Sequence, residues 1–442
     1  MAIKKILKKL TPRFILSIYH YKLAFLGALF FGFPSRKLIV IGVTGTSGKS
    51  TTVDLITKIL EQNGKKVASI STIRFKIGNK EWKNNLKMTM PGRFAIQKFF
   101  SQAVKEKCKY AVLEVSSEGI KQFRHKFIKF DSAVFTNLSP EHIESHGSFE
   151  KYRKAKVKFF KAVKNKHIIN IDDENAKYFL KIPAKEIVGF GLENHKSQIT
   201  NNKQIQNSKI QIIIAENVKL AEDGIAFKLQ TTNYKLQLLG EFNVYNALCA
   251  IAVCSFYGVS LDVCRNALEK AKGIPGRMEM VVKNPFKVFV DYAHTPEQLE
   301  NVYETLTTNY SAVAGQTVNL ICVLGSCGGG RDKWKRPVLG EIASKYCNTI
   351  ILTNEDPYDE NPKEIILQIK AGVASSKLQI TSEVLDRKEA IKTALKLAKS
   401  NDIVIITGKG SETLMCLENG KKIAWSDKEI VKNEMGEFAV KF

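Results

Sequence analysis

From residue 37 onward, short apolar runs rich in Val, Ile and Leu alternate with longer stretches whose apolar positions recur at helical spacing. A period of about 2 marks a strand and one of about 3.6 an amphipathic helix, because those are the spacings at which side chains return to one face. The pattern predicts strands at 38–43, 67–71, 110–115, 132–136 and 167–171, with helices near 50–63, 93–107 and 148–165. Such alternation builds a doubly wound α/β domain with a mostly parallel sheet. Residues 185–240 change to short polar and β-branched stretches rich in Asn, Gln and Lys, which predicts a small antiparallel β insertion or subdomain, and a helix follows at 243–257. The Gly- and Pro-containing stretch 272–277 is a natural hinge. Beyond it a second alternation, with strands near 287–291, 318–324, 348–353 and 402–407, predicts a Rossmann-like C-terminal domain. The expected organisation is α/β: an N-terminal segment 1–36, a central domain 37–272 with its small β subdomain, and a C-terminal domain 273–442.

The first 36 residues follow neither pattern. They open on a basic amphipathic stretch with Lys4, Lys5, Lys8 and Lys9, then run through 14–34 with Lys22 as the only formal charge. A secretory signal is rejected, since it would bring a small-residue cleavage site. The uncharged run 23–35 is short for a bilayer span, which takes about 20 apolar residues, and a tilted span from Phe14 would have to carry Lys22. The segment reads as an interfacial helix pair that either lies on the cytoplasmic membrane face or packs on the protein itself.

Composition narrows the class. With 442 residues, 44% hydrophobic and 25% charged, the chain is globular and long enough for several cores, and disordered and collagen-like classes are excluded. The formal charge of +25 points to anionic partners or, since lysines are spread along the whole chain, to a solvated lysine-rich surface. No nucleic-acid-binding signature accompanies it. The eight cysteines contain no CxxC pair and several sit in apolar patterns, so they read as buried thiols of a reducing cytoplasm and not as a zinc ribbon.

Candidate chemistry enters at residues 41–52, IGVTGTSGKSTT, which follow a strand and open a helix. Gly45 and Gly48 let the N–H groups of Thr46, Ser47 and Thr51 turn toward phosphate oxygens, the helix N-terminus adds positive potential, Lys49 reaches the β/γ-phosphates and Ser50 can ligate Mg²⁺. Val43 stands where the strict pattern has its first glycine. The loop nonetheless indicates a nucleoside triphosphate. Glu114 ends one apolar strand and His142 lies just beyond another, on the rim where a parallel sheet presents metal ligands.

TGTSGKSTT at 44–52 is followed in order by EVSSEGIKQFR, TNLSPEHIESHG, YRKAKVKFF, GEFNVYNALCA, GIPGRMEMV, VDYAHTPEQL, GSCGGGRDKWKRP, DRKEA and GKGSE. This series resembles the Mur ligases over residues 37–442, and within that family is most similar to the UDP-N-acetylmuramoyl-tripeptide synthetases. The resemblance implies an ADP-forming ligase of peptidoglycan precursor synthesis that uses ATP and Mg²⁺, with small-molecule substrates, no nucleic acid and a monomeric state. It implies that Lys156 is carbamylated and joins Ser50, Glu114 and His142 around Mg²⁺. Asn246 would hold the adenine, and Asp291, Tyr292 and His294 would bring the C-terminal domain to the nucleotide. Arg277 and Lys333 would approach the polyphosphate on closure. Thr89, Ser116, Gln122 and Arg124 would contact the acyl substrate, with Met90 replacing a family threonine, and Arg331, Gly408 and Glu412 would meet the substrates at the second domain.

Two departures matter. The diaminopimelate-selecting motif Asp-Asn-Pro-Arg reads Glu355-Asp356-Pro357-Tyr358 here, and a neutral phenol offers no fork for a second carboxylate. Weak use of meso-diaminopimelate is expected, with Glu355 and Asp359 favouring an amine-bearing side chain such as lysine or ornithine. Full-length relatives also carry an N-terminal domain that grips UDP, for which 36 residues leave no room, so the acyl donor is held by other surfaces or presented on a membrane lipid. Alternative readings are a folylpolyglutamate-synthase-like ligase and the synthase-like subunit of a complex acting on a lipid-linked cell-wall precursor.

Overall fold

Two sheets carry the chain, whose computed structural model describes residues 12–86, 88–195, 210–314, 318–373 and 380–439. The first sheet contains β1 (Ile39–Thr44), β2 (Val67–Ile70), β3 (Arg74–Ile77), β4 (Lys80–Lys83), β5 (Tyr110–Glu114), β6 (Phe130–Phe135), β7 (Lys166–Asn170), β8 (Glu186–Leu192), β9 (Gln211–Ala221), β10 (Gly224–Leu229) and β11 (Thr232–Leu236). Their order is β11-β10-β9-β8-β7-β6-β1-β5-β2-β3-β4. Neighbours from β9 to β2 run parallel, and antiparallel pairs close both ends. The small β subdomain expected at 185–240 is the antiparallel meander β9-β10-β11, which continues the main sheet because β8 and β9 pair parallel to it. Residues 196–209 of that stretch lie outside the described residues.

Helices α1 (Arg13–Phe30), α2 (Lys49–Gln62), α3 (Arg93–Lys105), α4 (Ser117–Lys121), α5 (Ile143–His146), α6 (Phe149–Ala162), α7 (Ala176–Leu180), α8 (Phe242–Phe256) and α9 (Leu261–Glu269) accompany this sheet. One face is covered by α2, α8 and α9, whose Val53, Ile56, Val244, Leu248 and Leu268 join a single core with Ile41 and Val112. The other is covered by α3, α6 and α7, through Phe99, Phe100, Phe159, Phe160 and Phe179. Burial on both faces is why the central strands read as unbroken apolar runs. Each such side chain contributes about 1.5–3 kcal/mol on leaving water.

The second sheet has order β12-β13-β17-β14-β15-β16, from β12 (Glu279–Val282), β13 (Lys287–Val290), β14 (Leu320–Leu324), β15 (Thr349–Thr353), β16 (Ile380–Val384) and β17 (Ile403–Ile406). Only β12 pairs antiparallel. Helices α10 (Pro296–Ala314), α11 (Lys335–Tyr346) and α12 (Pro362–Lys370) pack on one face, and α13 (Arg387–Leu397) and α14 (Asp427–Ala439) on the other. A hairpin of β18 (Leu414–Cys416) and β19 (Lys422–Ala424) completes it.

Two expectations change. Cys322 on β14 and Cys347 at the end of α11 form a disulfide with Cα atoms 6.1 Å apart, so two of the eight cysteines are not thiols. The strand and its following helix cross so that residues 25 apart in sequence meet, a juxtaposition that spacing alone does not reveal. In the N-terminal segment, α1 does pack on the protein, yet it leaves much of its apolar surface exposed. Residues 1–11, the basic part of the expected helix pair, lie outside the described residues.

A buried histidine sets a pH limit on this fold. His125 is 2% exposed and neither ring nitrogen has a hydrogen-bond partner. Burial, with Lys126 and Lys158 nearby, pushes its pKa from 6.5 down to about 3. The unfolded chain therefore takes up the proton first as pH falls, and stability is lost progressively from pH 6.5 toward about 3. In urea titrations, His125→Leu should flatten this acid limb by an amount approaching about 1.4 kcal/mol per pH unit. Parallel acid limbs in the two proteins would refute the assignment.

Candidate active site

In the first sheet β1 lies between β5 and β6, and the carboxyl ends of these strands form the crevice in which open α/β sheets bind ligands. The loop 45–48 leaves β1 there and enters α2 at Lys49. Gly48 has φ of 77°, and a Cβ on Gly45 would stand 1.9 Å from Thr136 Oγ1, so both positions need glycine. Asn137 holds the loop: its Oδ1 accepts from the backbone of Thr46 at 3.1 Å and of Ser47 at 2.7 Å. Asn246 backs it from α8, accepting from Thr52 at 3.3 Å and donating to Asn243 at 2.9 Å.

Two lysines converge on one carbonyl. Lys49 Nζ donates to Gly45 O at 3.0 Å and to Thr46 O at 2.7 Å, while Lys156 Nζ, rising from α6, donates to Gly45 O at 2.6 Å. Burial lowers the Lys49 pKa. Burial, and then the neighbouring Lys49 charge, pushes Lys156 well below the ordinary lysine range. A lysine so placed has access to the neutral amine, the form that reacts with CO₂.

Carboxylates and histidines stand around this pair. Glu114, at the end of β5, is fully buried and accepts from Thr72 N and Thr72 Oγ1, each at 2.9 Å, and Thr72 Oγ1 also meets Thr89 Oγ1 at 3.1 Å. His142 has φ of 58° at the start of α5, and burial, opposed by Glu141, lowers its pKa to about 4, leaving a neutral ring. Glu141 reaches His294 at 3.3 Å and His142 at 3.7 Å. Burial works against its charge, but His142, His294 and Lys335 hold the Glu141 carboxyl well below the usual carboxylate range.

Contacts from the second sheet close the site. Gln298 on α10 donates to Ser47 Oγ at 2.9 Å. Asp332 accepts from the backbone of Ile143 at 3.2 Å and of Glu144 at 2.8 Å, so it caps the short helix that follows His142. Asp291 accepts from Met278 N and Ala293 N, each at 2.6 Å, and fixes the end of β13 to the stretch after the hinge. Arg277 lies 4.2 Å from the Tyr292 ring centroid. Between the two sheets remains a cleft of about 1410 Å³.

The far end of the cleft is rich in buried charge. Glu355 is 4% exposed, its Oε2 has no partner, and burial raises its pKa. Lys409 joins Asp356 at 2.8 Å, Glu412 at 2.7 Å and Leu414 O at 2.7 Å. Arg387 forks to Asp427 at 2.9 and 2.8 Å and donates to Thr407 O at 2.7 Å. Tyr358 lies against Gly329 and lines the cleft with Arg331, Glu355, Gly408 and Glu412.

The cleft thus gathers the expected residues of the loop 46–51, Thr89, Glu114, His142, Asn246, Arg277, Asp291, Tyr292, His294, Arg331, Glu355, Asp356, Tyr358, Gly408 and Glu412. Gly45 and Lys156 sit beneath its floor. Ser116, Gln122 and Arg124 are not in its wall. Ser116 caps α4 by accepting from Gly119 N, while Arg124 donates to Met90 O and to Gln122 Oε1. Met90 is buried against Gly119, so the threonine replacement serves packing. Lys333 does not approach the loop: it is half exposed and pairs with Glu360 at 3.4 Å, while Lys335 of the same segment is buried and donates to His294 O at 2.8 Å. Sequence reasoning gave no role to Asn137, Glu141, Gln298, Asp332 or Lys409, although each falls inside a motif already singled out.

Residues 43–254 match the Mur ligase middle domain, and residues 276–410 the Mur ligase, glutamate ligase domain. A UDP-N-acetylmuramoyl-L-alanyl-D-glutamate--2,6-diaminopimelate ligase of Clostridium acetobutylicum is 38% identical over 416 residues, covering 92% of this chain and 80% of that protein. The ligase of the same name from Aquifex aeolicus is 37% identical over 408 residues, covering 92% and 79%. A solved structure of such a ligase aligns with a TM-score of 0.59 at 29% identity, covering 91% of this chain and 79% of the other. Folylpolyglutamate synthase of Mycobacterium tuberculosis, complexed with ADP and AMPPCP, aligns with a TM-score of 0.64 at 17% identity over 88% and 92%, a likeness of fold alone.

The contacts across the cleft predict a measurable opening. Asp332→Ala with Gln298→Ala removes three of the bonds that hold the sheets together at the loop. Small-angle scattering should then report a larger radius of gyration, and the apparent affinity for nucleotide should fall by about tenfold. An unchanged radius would contradict the role of these residues.

Proposed function

The chain belongs to the Mur ligase family, ATP-dependent acid–amino-acid ligases, and on that premise we propose that it adds an amino acid to the free carboxylate of a muramoyl-dipeptide in peptidoglycan precursor synthesis. The observation that carries the reading is the cleft in which the loop before Lys49, with Lys156 beneath it, faces Arg331, Glu355 and Glu412 of the second sheet. We assign the central ATP-binding domain to 37–272 and the ligase domain to 273–442. The short bridges Gln237 to Lys272 and Ile274 to Arg277 at their junction support that boundary. The enzyme acts as a monomer in the cytoplasm, at the inner face of the membrane.

The loop N–H groups and Lys49 bind the triphosphate. The donor carboxylate attacks the γ-phosphorus, the bond to the β-phosphate oxygen breaks, and ADP leaves an acyl phosphate. The amine of the incoming amino acid then adds to the acyl carbon, forming a tetrahedral intermediate that expels phosphate and loses a proton. Positioning and charge neutralisation account for most of such catalysis. Closure through Gln298 and Asp332 keeps water from the acyl phosphate.

The residues present suit Mg²⁺ bound with a nucleotide. Among the described residues no group of three His, Cys, Asp or Glu side chains forms a cage, and Mg²⁺ in phosphate sites takes one or two carboxylates and draws its other ligands from phosphate and water. The buried carboxylate of Glu114, the neutral His142 and the Ser50 hydroxyl would hold it, with the carbamate of Lys156 as a further ligand. When bound, the ion neutralises phosphate charge. Carbamylation would also turn one of two crowded cations into an anion.

The relatives are named for 2,6-diaminopimelate, but Tyr358 and the buried Glu355 favour an amino acid whose side chain ends in an amine, such as lysine or ornithine. Purified protein with ATP, Mg²⁺, UDP-MurNAc-L-Ala-D-Glu and a panel of amino acids, read by mass spectrometry, tests both reaction and choice. Wild type should form the lysine or ornithine product and use diaminopimelate poorly, Tyr358→Arg should raise diaminopimelate use, and Lys49→Ala should give no product. A Lys49→Ala protein forming ADP and amide at the wild-type rate would overturn the function. A wild type preferring diaminopimelate would overturn the selectivity.

A further inference from the structure

Helix α1 has two unlike sides. Ala24, Gly27 and Ala28 are buried, and a Cβ on Gly27 would stand 3.3 Å from Arg93 O, so small residues let α1 lie close along α3. The other side exposes Phe14, Ile18, Leu26, Leu29 and Phe30 at 66, 51, 49, 52 and 76%. Single exposed apolar residues are ordinary, but an exposed helix face that is apolar apart from Lys22 marks an interaction surface.

Charge selects what covers it. No acidic residue precedes Asp54, while Lys4, Lys5, Lys8 and Lys9 come before the helix, Lys22 lies on it and Arg36 follows. A second copy would bring the same cations to a chain already at +25, and like charges would oppose the pairing. An anionic lipid surface supplies both an apolar layer and a negative potential, and Lys22 can extend its ammonium to the headgroups. No described helix is long and apolar enough to cross a membrane, which leaves a helix lying along the interface.

The position of α1 ties that surface to the cleft. Tyr21 meets Phe123 and Phe127 with ring centroids 5.9 and 5.1 Å apart, and Phe25 meets Phe127 at 5.3 Å. The same segment carries Gln122, whose carbonyl accepts from Arg93 of α3 at 3.0 and 2.7 Å, and Arg124, which donates to the carbonyl of Met90 beside Thr89 of the cleft wall. We propose that α1 lies in the interfacial layer of an anionic bilayer with its apolar side inward, so that the acyl-donor end of the cleft opens beside the membrane surface. The identity of that end rests on the ligase reading; the docking of α1 does not.

Flotation of the full chain with vesicles tests this directly. Wild type should float with vesicles of equal parts phosphatidylglycerol and phosphatidylcholine, and about tenfold less with phosphatidylcholine alone or in high salt. Leu26→Glu with Leu29→Glu should lose flotation by a similar factor and keep wild-type ADP formation on a soluble UDP-linked acceptor, which also reports an intact fold. Absence of wild-type flotation, equal flotation of the variant, or a stable dimer in light scattering that the variant dissolves would each overturn the proposal. Failure of ADP formation in wild type would strike the ligase reading alone, since flotation needs no turnover.

Discussion

Lys49 and Lys156 donate to the same carbonyl oxygen, that of Gly45, with Lys156 fully buried and Lys49 partly so. Two ammonium groups in such a place repel one another and lack the hydration that would screen them, so the site favours whatever lowers its positive charge. Loss of a proton from Lys156, carbamylation of its amine and arrival of a polyphosphate all do this. The fold enforces the arrangement: β1 delivers the loop, α2 carries Lys49 away from it, and α6 brings Lys156 up from the opposite face of the sheet. The demand for an anion is thus built into the packing.

A loop that holds phosphate does not by itself join two molecules. The second sheet supplies the rest, and the contacts by which it docks are polar and local: a carboxylate capping the backbone after His142, an amide on Ser47, and Glu141 between two imidazoles. Such contacts exchange readily with water, which suits an interface that must open to admit substrates. Apolar packing lies mostly within each sheet and its own helices, with Leu239 and Phe242 at the entry of α8 joining the core of the second sheet.

Much of this was legible in the sequence. The long parallel strands declare themselves as apolar runs because helices cover both their faces, and the phosphate loop declares itself by glycines that no other residue could replace. The short strands β3, β4, β12 and β16, at or next to the sheet edges, and the hairpin β18-β19 escaped notice, since strands of this length show too few alternations, and β4 is exposed throughout. The disulfide required knowing how β14 and α11 cross. In the site, the cleft gathers charged residues that the motifs singled out, such as Lys49, Glu114 and Arg331, whereas residues that act on backbone, such as Asn137 and Asp332, had been given no role. Their partners are N–H groups of distant segments, and no spacing along the chain encodes that. Lys333 was named and Lys335 was not for the same reason, because the turn of the chain at α11 decides which of the two points inward.

The central claim is that the donor acid is activated by phosphoryl transfer before the amine attacks. It is tested most directly with a muramoyl-dipeptide acceptor labelled with ¹⁸O in its reacting carboxylate, together with ATP, Mg²⁺ and the accepted amino acid. The account predicts that the phosphate released with amide formation carries one labelled oxygen drawn from the carboxylate. Amide formed together with wholly unlabelled phosphate would contradict it.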